Sequence, residues 1–223
     1  MKVIIIGGVA GGASAAARIR RLDETAQIIV LERSNYVSYA NCGLPYFIGG
    51  VIREQAELTL QTPQSFWERF HIDVRVRNEA VDIDVKSKTV AIRRLDTGEI
   101  YHEQYDKLLL SPGAKPVVPH LPGVTSDRIF SLRTVEDTLR IRKFIEEYHS
   151  DSLKTSYVVA EENKRGVHTV DAGKSELILH HRYKKNAEGL QEQYPRTAEI
   201  YFTLSDIYKR EADFERKRAE DEW

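Results

Sequence analysis

The chain has 223 residues, with 33 Lys and Arg against 34 Asp and Glu, so its formal net charge at pH 7 is −1. This balance excludes a global electrostatic field that would recruit nucleic acid or a membrane surface. Hydrophobic residues make up 41% of the chain, but no apolar run approaches the roughly 20 residues that span a bilayer. The single cysteine permits no internal disulfide, and the sequence enters a strand with no room for a signal peptide, so we expect a cytoplasmic protein.

Residues 1–33 predict a β-α-β unit around which the rest of the chain is organised. Two apolar runs, residues 3–6 and 27–31, have the length and composition of strands buried on both faces. Residues 13–22, which lie between them, begin with small residues, end with basic ones and favour a helix. Such a unit needs a tight turn between the first strand and the helix.

That turn has the pattern of a dinucleotide-binding site. Glycine occupies four of its six positions: Gly7, Gly8, Gly11 and Gly12. Gly7 permits the tight turn, and Gly12 lets the helix pack closely on the sheet. The helix N-terminus then offers free N–H groups to a pyrophosphate, while Glu32, twenty residues after Gly12, can accept hydrogen bonds from ribose hydroxyls. Val9 replaces the middle glycine of G-x-G-x-x-G; the alternative is a turn that binds nothing, but the flanking strand, helix and acid favour nucleotide binding.

Cys42 lies just beyond this unit. A short helix is predicted to begin near Asn41, which could cap it, and the positive end of that helix favours a thiolate on Cys42. The alternative is a small apolar core residue, because free cysteine is commonly buried. The flanking Asn41, Gly43 and Pro45 favour a reactive thiol instead.

Three motifs together resemble the single-cysteine branch of the FAD-dependent pyridine nucleotide–disulfide oxidoreductases, over about residues 1–149. They are residues 7–12, the pair Glu32 and Arg33, and residues 38–46, in the family's order and spacing. Coenzyme A disulfide reductases are the most similar members, followed by NADH oxidases and peroxidases. The resemblance implies an α/β fold, with an FAD-binding Rossmann-like parallel sheet and an antiparallel β-meander insert.

The resemblance also implies roles for individual residues. Cys42 would be the catalytic nucleophile that attacks coenzyme A disulfide, whereas oxidase relatives use the same cysteine through a sulfenic acid. FAD contacts are implied at Gly7, Gly8, Val9, Ala10, Gly11, Gly12, Glu32, Arg33, Asn41, Val81, Ser111, Pro112 and Gly113. Coenzyme A contacts are implied at Ser14, Arg18, Arg21, Ser38 and Asn41. Guanidinium groups suit phosphate, although Arg18 and Arg21 are equally consistent with a solvated helix end.

Further elements are predicted up to residue 149. A helix starts at Pro63 with Thr62 as its cap, and another covers residues 133–145 with Thr134 as its cap. Alternating apolar and polar residues predict antiparallel strands over residues 74–76, 79–84 and 89–92 and at Tyr101. A buried strand leads into the turn at Ser111, Pro112 and Gly113.

The resemblance stops after His149. In the intact family a second glycine-rich turn binds NAD(P)H, and a last domain forms a homodimer, but residues 150–223 contain only the isolated glycines Gly166, Gly173 and Gly189. Strands are predicted over residues 156–160, 166–170 and 175–181, the last two forming a β-hairpin. A helical hairpin should follow, with helices from Tyr183 and from Pro195, and with an apolar stripe formed by Ile200, Leu204, Ile207 and Phe214. His168, His180 and His181 could suggest a metal site, but no Cys or carboxylate stands at ligand spacing, so no metal is predicted.

The sequence therefore predicts an FAD-binding domain over residues 1–149 and an unassigned segment over residues 150–223. The favoured function is FAD- and NAD(P)H-dependent reduction of coenzyme A disulfide or a related small disulfide, in a truncated or fused chain that lacks the NAD(P)H domain. Alternatives are an NADH oxidase or peroxidase-like flavoprotein, a non-enzymatic chimera with a helical interaction module, and a thiol sensor that reacts without flavin.

Overall fold

The computed structural model describes residues 1–148, 150–165 and 171–221, with two units in the chain. The first unit comprises Met1–Leu44 and Glu54–Asp137, and the second comprises Pro45–Arg53 and Thr138–Trp223. The domain boundary predicted after residue 149 stays a prediction.

Seven strands lie in the first unit: β1 (Lys2–Ile6), β2 (Gln27–Glu32), β3 (Asp73–Val76), β4 (Asn78–Asp84), β5 (Thr89–Arg94), β6 (Ile100–Gln104) and β7 (Lys107–Leu110). A parallel sheet has the order β3–β2–β1–β7, and Ile4 pairs with Ile29 on one side and Leu108 on the other. The apolar runs of β1 and β2 are buried on both faces, as predicted. The antiparallel pairing predicted for residues 74–76 is wrong, because β3 runs parallel to β2.

Strands β4, β5 and β6 form the predicted antiparallel meander, with Gly98 at a φ of 77° in the turn after β5. Ion pairs join the meander to the parallel sheet, since the carboxylate of Glu103 contacts Lys2 and lies 2.7 Å from Arg75 Nη1. Burial acts to raise the pKa of Glu103, but hydrogen bonds from Lys2 and Arg75 outweigh it and lower that pKa.

The helices are α1 (Ala10–Leu22), α2 (Leu44–Ile48), α3 (Pro63–Phe70), α4 (Val135–Glu147), α5 (Asp151–Arg165), α6 (Lys174–Leu190) and α7 (Pro195–Asp221). The caps predicted at Thr62 and Thr134 are confirmed. Thr62 forms a capping box with Ser65 at the start of α3, and Thr134 exchanges hydrogen bonds with Asp137 at the start of α4. Across the described ranges, no helix is both long and apolar enough to cross a membrane.

The β-hairpin predicted for the C-terminal segment is wrong in the part that the structure describes. Residues 156–160 belong to α5 and residues 175–181 belong to α6, while residues 166–170 lie outside the described residues. The spacing of apolar residues in so short a run does not distinguish a strand from a helix. In the structure Val158 is buried on one face of α5. The predicted start of a helix at Pro195 is confirmed.

Helices α6 and α7 form the predicted helical hairpin, but its apolar stripe is shifted. Leu204 is fully buried, with Tyr201, Tyr208 and Ala212 beside it, whereas Phe214 is 65% exposed. At about 100° per residue, Phe214 rotates away from the face that Tyr201 and Tyr208 share. Phe214 is therefore outside the core, contrary to the prediction.

Candidate functional site

A pocket of about 160 Å³ lies at the carboxyl edge of the parallel sheet, where β1, β2 and β7 end. It is lined by Gly7, Val9, Ala10, Gly11, Glu32, Arg33, Ser34, Tyr39, Asn41, Ser111, Pro112, Gly113, Ala114, Arg133 and Thr134. Ten of these residues are among the predicted FAD contacts. The carboxyl edge is where ligands bind in open α/β sheets, so the position agrees with the prediction.

The glycine turn brings three backbone segments together. A Cβ on Gly12 would lie 1.8 Å from the carbonyl oxygen of Gly7, so only glycine lets α1 start this close to β1. Gly7 has a φ of 97°, and a Cβ there would lie 1.9 Å from the carbonyl oxygen of Ser111. The turn after β7 thus packs directly on the turn after β1, which explains how distant motifs share one pocket.

Glu32 is buried, with 7% of its surface exposed, and two backbone hydrogen bonds fix the orientation of its carboxylate. Its Oε2 accepts a hydrogen bond of 2.8 Å from the backbone N–H of Gly8, and its Oε1 accepts one of 2.9 Å from that of Ser34. Each carboxylate oxygen can accept more than one hydrogen bond. The carboxylate can therefore also accept hydrogen bonds from the hydroxyl groups of a ribose in the pocket.

The start of α1 is suited to an anion. Val9 occupies the N-cap position, where no side chain of the described residues caps the helix, and the first turn contains no acid. The orphan N–H groups and the positive dipole end therefore face the pocket that Val9, Ala10 and Gly11 line. Arg33 and Arg133 add two positive charges to the same pocket.

Asn41 and Cys42 lie in a 3-10 helix, Asn41–Gly43, that leads into α2. Ala40 occupies the N-cap position of the 3-10 helix, so the prediction that Asn41 caps a helix is wrong. The side-chain Oδ1 of Asn41 is instead buried without a hydrogen-bond partner among the described residues. Cys42 is exposed, so the alternative of an inert core thiol is wrong as well.

The other predicted contacts lie outside the pocket lining. Gly8 and Gly12 belong to the glycine turn, where Gly8 lies against the side chain of Val37 and Gly12 lies against the carbonyl of Gly7. Val81 lies on β4 and is 38% exposed. The predicted coenzyme A contacts Ser14, Arg18 and Arg21 are exposed on α1, and their spacing of four and three residues places them along one side of it. Ser38 has a φ of 49°, and its backbone N–H donates to the carbonyl of Gly8. Their roles stay predictions.

Five lining residues were not among the predicted contacts: Ser34, Tyr39, Ala114, Arg133 and Thr134. Tyr39 is 8% exposed, and its hydroxyl donates to the carbonyl of Arg133 over 3.4 Å. Burial, and then the negative charges of Glu32 and Glu136, raise the pKa of Tyr39. Tyr39 lies in the motif over residues 38–46, and Thr134 was predicted as a helix cap, but neither residue was assigned to the pocket.

The residues present fit the adenosine and pyrophosphate portion of FAD. Glu32 suits a ribose, the start of α1 suits a pyrophosphate, and the buried Oδ1 of Asn41 lacks a donor that a bound group could supply. The volume is below the roughly 300–1,000 Å³ typical of complete small-molecule sites, so the pocket would enclose only part of FAD. In the described ranges, no group of three or more His, Cys, Asp or Glu could hold a metal ion.

Comparisons with known proteins agree with this geometry. The sequence profile of the pyridine nucleotide-disulphide oxidoreductase family matches residues 1–159. A coenzyme A disulfide reductase of Staphylococcus haemolyticus is 42% identical over 149 residues, which are 67% of this chain and 33% of that protein. Reduced CoADR-RHD of Bacillus anthracis is 52% identical, with a TM-score of 0.64, over 66% of this chain and 26% of that one.

A more distant structure is the water-forming NADH oxidase of Lactobacillus brevis bound to NADH. It is 27% identical, with a TM-score of 0.62, over 66% of this chain and 32% of that one. The chain thus spans about 33% of the length of the curated relative that it matches.

Proposed function

The chain belongs to the pyridine nucleotide-disulphide oxidoreductase family, and from this premise we propose that it carries the FAD-binding part of a coenzyme A disulfide reductase. The supporting observation is the convergence of the glycine turn, Glu32, Asn41 and the turn after β7 on one pocket. We assign this role to residues 1–149. The single cysteine fits a reducing, cytoplasmic setting.

Bound FAD would supply two-electron transfer between a nicotinamide and a sulfur group. The residues of this chain would hold it: the start of α1 at the pyrophosphate, and Glu32 at the adenosine ribose. Arg33 and Arg133 would offset the phosphate charge. Because residues 150–223 carry no second glycine-rich turn, we expect no NADH-driven turnover from this chain alone.

Cys42 would react with the disulfide substrate. Its thiolate attacks one sulfur of coenzyme A disulfide, so that a bond forms between Cys42 Sγ and that sulfur while the original S–S bond breaks. The second coenzyme A leaves as a thiolate and takes a proton from water. The exchange is redox-neutral overall, and it requires only an accessible thiol, which the exposed Cys42 provides.

FAD binding is testable by titration, with quenching of flavin fluorescence as the readout. We expect Glu32→Gln to weaken FAD binding about tenfold, since a charge-assisted hydrogen bond contributes more than a neutral one. Glu24→Gln, which removes the same charge at an exposed position outside the pocket, should bind FAD like the unmodified chain. Equal affinity in both variants, or no quenching in any of them, would contradict the assignment of the pocket.

Thiol exchange is testable by intact-protein mass spectrometry after incubation with coenzyme A disulfide. We expect one coenzyme A adduct per chain and one equivalent of released coenzyme A thiol, because Cys42 is the single cysteine. Cys42→Ser should abolish both products. An unmodified mass in the presence of excess coenzyme A disulfide would rule out that substrate.

The likeness to an NADH oxidase makes peroxide chemistry the second candidate function. In that case hydrogen peroxide would convert Cys42 to a sulfenic acid, which dimedone traps. Trapping that is faster than exchange with coenzyme A disulfide would favour this second function over the first.

A further inference from the structure

A second cleft, of about 330 Å³, lies within the second unit, and none of its described lining residues belongs to the pocket at the carboxyl edge of the parallel sheet. Its walls are Pro45–Arg53, α5, α6 and α7. The polar lining residues are Tyr157, Glu161, Arg182, Tyr183, Asn186 and Tyr201. The volume reaches the lower end of the roughly 300–1,000 Å³ found for small-molecule sites.

Three of the four tyrosine hydroxyls in this cleft direct their protons to other groups of the protein. Tyr201 donates to the carbonyl oxygen of Gly49, which can only accept. The 2.9 Å bond between the Tyr157 and Tyr201 hydroxyls must therefore use the proton of Tyr157. Tyr183 donates to Glu161 Oε2 over 2.9 Å. The phenol and carboxylate oxygens of this wall thus act toward a ligand as acceptors.

Tyr201 and Tyr183 keep their phenol protons at ordinary pH. Burial raises the pKa of Tyr201, and the neighbouring Tyr157 raises it further. Burial also raises the pKa of Tyr183, as does its hydrogen bond to Glu161. Glu161 therefore supplies the negative charge of the wall, and the exposed ring of Tyr46 supplies an aromatic surface in the same cleft.

We propose that this cleft binds a small organic ammonium cation. An ammonium group has three donors and no acceptor, which complements a wall of acceptor oxygens. Aromatic rings attract such cations, and the exposed side chains of Tyr46 and Val51 offer apolar surface to the organic portion. Arg182, the one cation among the described lining residues, is exposed and can keep its guanidinium in water, where it weakens but does not prevent binding.

The experiment is calorimetric titration of the full chain with 2-phenylethylammonium chloride, compared with phenylacetate and 2-phenylethanol, which have similar size. We expect saturable binding of the ammonium compound, with the neutral alcohol weaker and the anion weakest. Tyrosine-selective NMR signals should shift with the ammonium compound. Failure of the ammonium compound to bind, or tighter binding of phenylacetate, would overturn the proposal.

Variants locate the binding. Glu161→Gln should weaken binding of the ammonium compound about tenfold, since hydrogen bonds to charged groups are the stronger ones. Arg182→Gln should strengthen it, because a repulsive charge is removed, and Glu188→Gln, an exposed change on α6 outside the lining, should leave it unchanged. A thermal melt checks folding, and if Glu161→Gln unfolds, Arg182→Gln still decides. Weaker binding after Arg182→Gln would contradict the proposal, as would equal binding by Glu161→Gln and Glu188→Gln.

Discussion

Gly12→Ala is expected to destabilise the first unit by more than about 4 kcal/mol and to abolish FAD binding, because the new methyl group would clash with the backbone of the glycine turn. Its Cβ would lie 1.8 Å from the carbonyl oxygen of Gly7 and 3.1 Å from Ile5 Cγ2. The carbonyl oxygen of Gly7 is a backbone atom and cannot rotate away as a side chain can. The clash is therefore relieved only if α1 moves away from β1. Urea unfolding followed by circular dichroism, together with FAD titration, measures both losses.

Gly11→Ala is the matched control, one position earlier in the same helix. Its Cβ would meet a side-chain atom, Ser111 Oγ, at 2.6 Å, and that hydroxyl can rotate away. Alanine also favours a helix over glycine by about 1 kcal/mol, which offsets part of the contact. We expect Gly11→Ala to retain its stability to within about 1 kcal/mol. Similar losses for the two variants would show that the close contact of α1 and β1 does not depend on Gly12.

The contrast between these glycines shows how much of the site could be predicted from sequence. The strand, the turn, the helix and Glu32 follow from local patterns, and the structure confirms those elements and places Glu32 at the pocket. The contact of Gly7 with Ser111 joins positions more than one hundred residues apart, so no local pattern encodes it. Arg133, which contacts Tyr39, enters the pocket through such a tertiary contact, and it was missed for that reason.

The C-terminal segment shows the limits of periodicity over short runs. Residues 175–181 contain a short apolar run over residues 177–179, which suggested a strand, yet they continue without interruption into the helix that was predicted only from Tyr183. Longer windows favour the helix, because Tyr183, Ala187 and Leu190 are buried at steps of four and three residues. The β3 strand was likewise predicted, but its parallel pairing depends on β2, which precedes it by some forty residues.

Leu204→Ala is expected to reduce the free energy of unfolding of the second unit by about 3–5 kcal/mol, the range for replacing a buried leucine by alanine and leaving a cavity. Leu204 is fully buried in α7, in the cluster that also contains Tyr183, Tyr201 and Tyr208. Stacked tyrosine rings limit how far the site can collapse, since the Tyr183 and Tyr208 centroids lie 5.5 Å apart with the rings nearly parallel. Chemical unfolding followed by helical circular dichroism would measure the loss.

Phe214→Ala provides the control, because sequence periodicity places Phe214 on the same stripe as Leu204 while the structure leaves it 65% exposed. We expect a change within about 0.5 kcal/mol, as for surface substitutions generally. Equal losses from the two variants would mean that the apolar stripe read from the sequence, and not the tyrosine cluster, forms the core. The same result would remove the support for the ammonium cleft, because its wall depends on Tyr183 and Tyr201 being held in that cluster.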